Sequence, residues 1–272
     1  MFPSRTGGEA AAGAELRVTA EQRADSALWI VQRFFARDSF PERARYYAGE
    51  MLQHYRASPT LGAGLAPSVR VAPRALVRDE GRAVFAVTLS DSAVATDWYL
   101  YLTRTPRGWK LSAVRALAMP GLFHDLLDSL NALPDLPDSV ARLRDRMRLA
   151  TESDSALKQH LAVHLPAFDE LAALMSQTPT LELIGHDGHV EPTAERSSVP
   201  RRLVELLQAL RLSSAYRADG HPGCLFLPIA GIVDNEVGYL YAPPGCAVPE
   251  MNPALFIYVE RVRGIWFVYK TT

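Results

Sequence analysis

The chain has 272 residues, a net charge of −1, and 48% hydrophobic against 22% charged residues. This length favours two domains, and this balance is typical of a globular protein with a sizeable core. The near-zero charge argues against a nucleic-acid partner, and the lack of an apolar run of about 18 residues predicts no membrane span.

Two helices are predicted before the first strand. Residues 1–18 are rich in Gly, Ala and Glu and are expected to form a flexible arm. Capping-box patterns at residues 19–22 and 39–42 open the two helices, the second with proline in its first turn. The apolar faces of these helices carry Phe34, Phe35, Tyr47 and Met51.

Residues 68–119 predict a four-stranded antiparallel meander. Apolar and polar residues alternate along each of the four predicted strands, which indicates that one face of the sheet is buried and the other is partly exposed to solvent. The turn patterns Asp79-Glu80-Gly81 and Thr105-Pro106-Arg107-Gly108 join neighbouring strands. One apolar face of this sheet has to be covered by the upstream helices.

The second half is predicted to be another α+β unit. Residues 131–138 contain two prolines and are expected to form a linker, so the predicted domains are 19–130 and 139–272. Pro166 should divide a long helical stripe. Antiparallel hairpins close the chain, with strands at 224–233, 236–242, 254–261 and 265–270.

A run of arginines marks the first helix of the second half, predicted over residues 139–151. Its members are two residues apart, at 142, 144, 146 and 148. Residues with this spacing do not all share one helical face, so the run favours a solvated helix over a phosphate-binding patch.

The first half resembles the nuclear transport factor 2-like superfamily, which includes ketosteroid isomerases, polyketide cyclases and non-catalytic modules. The resemblance covers about residues 19–120 and rests on element order and the closing Gly108-Trp109 hairpin. It implies an α+β cone with a pocket between the helices and a curved sheet, and often dimerisation through that sheet.

The second half is similar only to uncharacterised bacterial proteins, in the pattern Arg148-Leu149, Asp154, Leu157, His160, His164, Phe168, Leu171 and Gly264–Tyr269.

The resemblance places acid/base candidates in the cone. Asp97, Tyr47 and His54 are the catalytic candidates, with Tyr99 beside Asp97. Because Asp97 alternates against Trp98 and Leu100, an ordinary surface carboxylate is the favoured alternative. The predicted pocket lining is Phe34, Phe35, Tyr47, Met51, Trp98, Tyr99 and Trp109.

Histidines give a weak metal candidate. His160 and His164 are one helical turn apart, and His186 and His189 follow in Gly-His-Asp-Gly-His. The first pair lacks the glutamate of a zincin motif, so helix-surface and loop histidines are favoured and no metal is predicted. No nucleotide-binding fingerprint is present, and no cofactor is predicted.

Cys224 and Cys246 are the disulfide candidate. A hairpin centred on Asn235 would place them opposite each other, although Pro243 and Pro244 could break the ladder first. Two free, partly buried thiols are the alternative. No secretory signal is visible, which favours the cytoplasm, whereas a bridge would indicate an extracytoplasmic protein.

Two functions follow as hypotheses. The favoured one is a non-enzymatic module that binds a small apolar ligand or a protein, or forms a homodimer, with Tyr99/Tyr101 and Phe256/Tyr258 as exposed aromatic rows. The alternative is a cofactor-independent isomerase, dehydratase or hydrolase that works in the cone pocket. A pocket filled by Phe34, Phe35, Trp98 and Trp109 would favour the first hypothesis.

Overall fold

The chain is an α+β protein with two antiparallel sheets. The computed structural model describes residues 26–38, 40–54, 60–92, 94–117, 120–191, 201–232 and 235–272. The helices are α1 (Ala27–Phe34), α2 (Gly49–His54), α3 (Pro120–Asn131), α4 (Asp138–Ala150), α5 (Asp154–Val163), α6 (Leu165–Gln177) and α7 (Arg201–Ala209). The strands are β1 (Arg70–Arg78), β2 (Arg82–Ser90), β3 (Ala95–Thr105), β4 (Gly108–Ala116), β5 (Leu183–Gly185), β6 (Val190–Glu191), β7 (Ser214–Tyr216), β8 (Leu225–Ile232), β9 (Asn235–Tyr241), β10 (Phe256–Arg263) and β11 (Trp266–Thr271).

The predicted meander is confirmed, since β1 to β4 form one sheet in chain order. Asp79 shapes the first turn, where its Oδ1 accepts hydrogen bonds from the amides of Gly81 and Arg82. Gly108 closes the third connection at a φ of +94°, a conformation that favours glycine.

The helical cover of this sheet differs from the prediction. Ser26 caps α1, where its hydroxyl accepts from the Trp29 amide. The expected continuous second helix is wrong: a short 3₁₀ turn, Arg43–Tyr46, ends at an extended Tyr47, which forms a bridge with Leu111 of β4. The predicted arm at 1–18 and the capping box at 19–22 lie outside the described residues.

The second sheet is seven-stranded, in the order β10-β11-β9-β8-β7-β5-β6, with every pair antiparallel. Pro166 divides α5 from α6 as predicted.

Among the described residues, no helix is long and apolar enough to cross a membrane. The predicted linker coincides with the short connection between α3 and α4.

Both faces of the first sheet are covered along β2, β3 and β4, whereas the edge strand β1 has no buried residue. One face packs against α1 and α2. The other joins the core of the second half through Val84, Ala86, Tyr99, Tyr101 and Ala113. The prediction of a half-wet outer face is therefore wrong, because residues beyond the linker cover it. The division into two domains remains a prediction, and the two halves share one apolar core.

Candidate functional site

The space between the helices and the first sheet is filled by side chains. Phe34, Phe35 and Trp109 are 6%, 3% and 8% exposed, and Met51 is fully buried. Trp98 is partly buried and packs against the same cluster. The other buried members are Ala27, Ile30, Val31, Tyr47, Ala83, Phe85, Val87, Leu100, Leu102 and Leu111. Close packing of this kind fills the centre of the cluster. An open pocket of about 510 Å³ lies at its edge, between α1 and β1, where Val31, Phe35, Arg37, Asp38 and Val71 are among the lining residues.

The structure does not bring the acid/base candidates together. Tyr47 belongs to the cluster under the helices, where burial raises its pKa to about 12. His54 is exposed at the end of α2. Tyr99 was expected in the pocket, but its side chain lies on the opposite face of the sheet with the core of the second half.

Asp97 is buried, so the expectation of a surface carboxylate is wrong. It is 5% exposed, and its Oδ1 accepts a hydrogen bond of 2.5 Å from the Thr88 hydroxyl. Its Oδ2 accepts from the Asp154 amide at 2.6 Å, at the start of α5. A carboxylate at a helix N-terminus satisfies an amide that has no partner within the helix. Asp97 therefore fastens a helix of the second half to the first sheet.

A buried ion pair lies beside this contact. Lys270 Nζ is 2.9 Å from Asp154 Oδ1, and both side chains are 5% exposed. The Tyr99 hydroxyl donates to the same oxygen at 2.7 Å. Burial raises the pKa of Asp154, the Lys270 charge lowers it, and Asp97 adds to the rise. Among the described residues Asp154 Oδ2 has no hydrogen-bond partner, so this carboxylate is only partly compensated.

The polar network continues to the surface through β10. The Tyr258 ring stacks on Tyr99 at a centroid distance of 5.0 Å, and its hydroxyl donates to Glu260 at 2.6 Å. Arg74 of β1 holds Glu260 through two hydrogen bonds of 2.7 Å each, and Lys158 of α5 approaches the same carboxylate at 3.1 Å. These contacts join the two halves. They correct the prediction of exposed aromatic rows, because Tyr99, Tyr101, Phe256 and Tyr258 are all buried.

Sequence reasoning missed Lys270, the centre of this network. A signal was available, since the chain has three lysines, and this one follows the apolar run Trp266–Tyr269 in a strand. A lysine in such a run is rarely buried without a carboxylate partner. The partner could not be identified from the sequence, because Asp154 lies more than a hundred residues upstream.

The histidine candidates lie in two separate places. His160 and His164 have ring centroids 4.7 Å apart, and His160 Nε2 contacts the Leu210 carbonyl oxygen at 3.2 Å. Burial lowers the pKa of His160 to about 4. His186 contacts the Ser213 carbonyl oxygen, and His189 contacts Glu191. Within the described ranges no group of three or more His, Cys, Asp or Glu side chains could hold a metal.

Cys224 and Cys246 form a disulfide, with Cα atoms 4.9 Å apart. The predicted geometry needs one correction. Leu225 pairs with Tyr241, so the β8–β9 register places Cys224 beside Ala242 and not opposite Cys246. A turn after Pro243, in which the Cys246 amide donates to the Pro243 carbonyl oxygen, reverses the chain direction. This turn brings the Cys246 sulfur within bonding distance of the Cys224 sulfur.

Comparison with protein-family models, curated proteins and solved structures gives no match for this chain. The resemblance of the first half to the nuclear transport factor 2-like superfamily therefore remains a prediction.

Proposed function

We propose that this protein is a non-enzymatic binding module. In this proposal residues 19–130 form a cone of the nuclear transport factor 2-like kind. Residues 139–272 form a second domain, which packs against the outer face of the cone's sheet. The order of elements supports the cone, since short helical segments precede a four-stranded meander that they cover on one face.

One observation carries the proposal: the protein's own side chains occupy the centre of the cone, and none of the acid/base candidates lines the open pocket between α1 and β1. A small-molecule site needs about 300–1,000 Å³ and converging polar groups. The alternative, a cofactor-independent enzyme, would need Asp97, Tyr47 and His54 to face one space. Asp97 instead caps α5 on the far side of the sheet, which leaves the enzyme hypothesis without its base.

The partner of the sheet is part of the same chain. The resemblance implies dimerisation through the sheet, but this face buries Tyr99 and Tyr101 against the second half. The Tyr101 hydroxyl donates to the Ile257 carbonyl oxygen at 2.8 Å, and Arg115 donates to the Pro253 carbonyl oxygen at 2.6 Å. A ligand or protein partner would therefore bind an outer surface, and a homodimer through this face would require the halves to separate.

The disulfide supports an oxidising compartment as the place where the protein matures. Bridges of this kind persist in secreted and envelope proteins, whereas cytosolic reductants keep thiols free. Mass spectrometry of protein from its native host, with free thiols alkylated before reduction, should find Cys224 and Cys246 unmodified by the alkylating agent. Complete alkylation of both would place the protein in a reducing compartment.

Methyl NMR with benzene as the probe tests the filled cone. Met51 is fully buried in the cluster, and Met175 of the second half serves as an internal reference. In the wild type the Met51 methyl resonance should not respond to benzene beyond the shift of Met175. Phe35→Ala is the positive control, because the deleted ring leaves a cavity that benzene can enter. A saturable shift of Met51 in the wild type would contradict the proposal.

A further inference from the structure

An arginine-lined cavity lies where α4 meets the end of α7. It has a volume of about 100 Å³, and its lining residues are Arg142, Asp145, Arg146, Gln208, Ala209 and Arg211. Three arginines and one aspartate are among its lining residues. The carboxylate of that aspartate, Asp145, is already paired with Arg144 at 3.1 Å. The cavity is separate from the polar network between the halves and from the cone.

Arg146 is buried without a partner. It is 7% exposed, which overturns the sequence-based interpretation of the arginine run as wholly solvated. Within the described ranges its guanidinium makes no hydrogen bond and no ion pair. Its pKa is lowered, first by burial and then by the Arg142 charge, while Asp187 opposes the shift. Removing an unpaired guanidinium group from water costs free energy unless an anion binds beside it.

The spacing of the arginines explains the convergence. Arg142 and Arg146 are four residues apart, so they share one face of α4, while Arg144 points away and pairs with Asp145. Like charges at this spacing repel each other and destabilise a helix slightly. An anion between the two side chains would turn the repulsion into attraction.

Arg211 adds a second unusual feature. It has a φ of +59° at the end of α7, where the Leu212 amide donates to the Leu207 carbonyl oxygen and the Arg211 amide to that of Gln208. This Schellman motif usually has glycine at the left-handed position, because a side chain there is strained. Here the position holds an arginine, and this residue is one of those that line the cavity. Strain of this kind is characteristic of functional positions.

We propose that this cavity binds one tetrahedral oxyanion, either free or as the phosphoryl or sulfuryl group of a larger molecule. A space of about 100 Å³ corresponds to about three water molecules, which suits one such group and is too small for a nucleoside. Guanidinium groups give paired, charge-assisted hydrogen bonds to phosphate oxygens, which favours phosphate over chloride. This inference goes beyond the proposed function and does not depend on the state of the cone.

Calorimetric titration of the full chain with inorganic phosphate, in a chloride background of constant ionic strength, tests the proposal. The wild type should bind saturably, and Arg146→Gln and Arg211→Gly should each raise the dissociation constant about tenfold or more. Arg107→Gln is the matched control, since it removes the same charge from an exposed turn. Its affinity should equal that of the wild type.

Thermal unfolding separates a lost site from a damaged fold. In chloride alone, Arg146→Gln and Arg211→Gly should unfold no earlier than the wild type, because one loses an unpaired buried charge and the other a strained residue. Phosphate should then stabilise the wild type and the control but not these two variants. Equal phosphate effects on all four proteins, or no saturable binding by the wild type, would overturn the proposal.

A second titration, with O-phosphoserine, identifies the source of the oxyanion. Binding with an affinity similar to that of phosphate, and weakened by Arg146→Gln, would assign the cavity to a phosphoryl group carried by a larger molecule. Binding of phosphate without O-phosphoserine would assign it to the free oxyanion. If chloride or acetate competes as strongly as phosphate, the cavity only screens charge and the proposal fails.

Discussion

Lys270 is the residue on which the junction between the two halves depends most. Its ammonium group is the cation nearest to Asp154, and the rings of Tyr99 and Tyr258 each lie 5.8 Å from it. Removing one member of a buried ion pair leaves the other uncompensated, and this loss exceeds the net contribution of the pair. Stability should therefore be far more sensitive to Lys270 than to the lysine at the rim of the same network.

Lys270→Met should lower the free energy of unfolding by about 3–5 kcal/mol, as measured by urea denaturation. Lys158→Met is the matched control, because Lys158 and Glu260 are about one-quarter exposed and Arg74 also neutralises Glu260. Its loss should be about 1 kcal/mol or less. Equal losses for the two variants would show that burial of Lys270 has no special role.

His160 should make stability depend on pH. Its folded-state pKa of about 4 lies below the ordinary value of 6.5, so the unfolded chain takes up the proton first. The contribution of this group is complete above pH 6.5 and is lost as the pH falls from 6.5 towards 4, by about 1–3 kcal/mol because the ring is partly screened by solvent.

Urea denaturation between pH 4 and 7.5 checks this prediction. His160→Gln should remove the loss of stability in that window, whereas His164→Gln, which changes an exposed side chain one turn away, should retain it. An unchanged pH dependence in His160→Gln would show that the imidazole is solvated in the folded protein.

At the scale of elements, local sequence signals worked where the local backbone decides the outcome. The turns at Asp79 and Gly108, the division at Pro166 and the strands β1–β4 and β8–β11 follow from patterns a few residues long. The short strands β6 and β7 were not predicted. The second helix failed because a contact distant in sequence decides its form. Tyr47 is extended in order to bridge Leu111, and no helical propensity within residues 39–55 encodes that partner.

Replacing Gly62 by any larger residue should lower the stability of the protein, because Gly62 lies in the short 3₁₀ turn Leu61–Gly64, which packs under the end of α1. A Cβ at Gly62 would lie 2.2 Å from the backbone carbon and oxygen of Phe35, whereas a Cβ at Gly64 would meet nothing within 4 Å. Gly62→Ala should cost about 1–3 kcal/mol, and Gly64→Ala should change stability by about 0.5 kcal/mol or less. Chemical denaturation compares the pair, and equal effects would contradict this packing.

At the scale of the whole molecule, the sequence indicated two α+β segments but not how they meet. The alternation of apolar and polar residues in β3 predicted one buried and one solvent-exposed face, and Asp97, Tyr99 and Tyr101 were assigned to the exposed face. In the structure each of these three side chains makes a hydrogen bond to the second half, so the polar face of the strand is a buried interface. The candidate site was misplaced for the same reason, because its residues were assigned to a face from local pattern alone.

The shared core and the buried network predict that the two halves unfold together. Both faces of β2, β3 and β4 are covered, and separation would expose Tyr99, Tyr101 and the Asp154–Lys270 pair to water. A cooperative unit of this kind leaves no independent cone that could open for a substrate.

Fluorine NMR of 5-fluorotryptophan-labelled protein in a urea series shows whether the two halves unfold together. Trp29, Trp98 and Trp109 report on the first half, and Trp266 reports on the second. We expect all four resonances to lose their folded-state intensity with one midpoint and one slope. Loss of the three first-half signals at a urea concentration where Trp266 remains folded, or the reverse order, would contradict this expectation and would make the first half an independent domain.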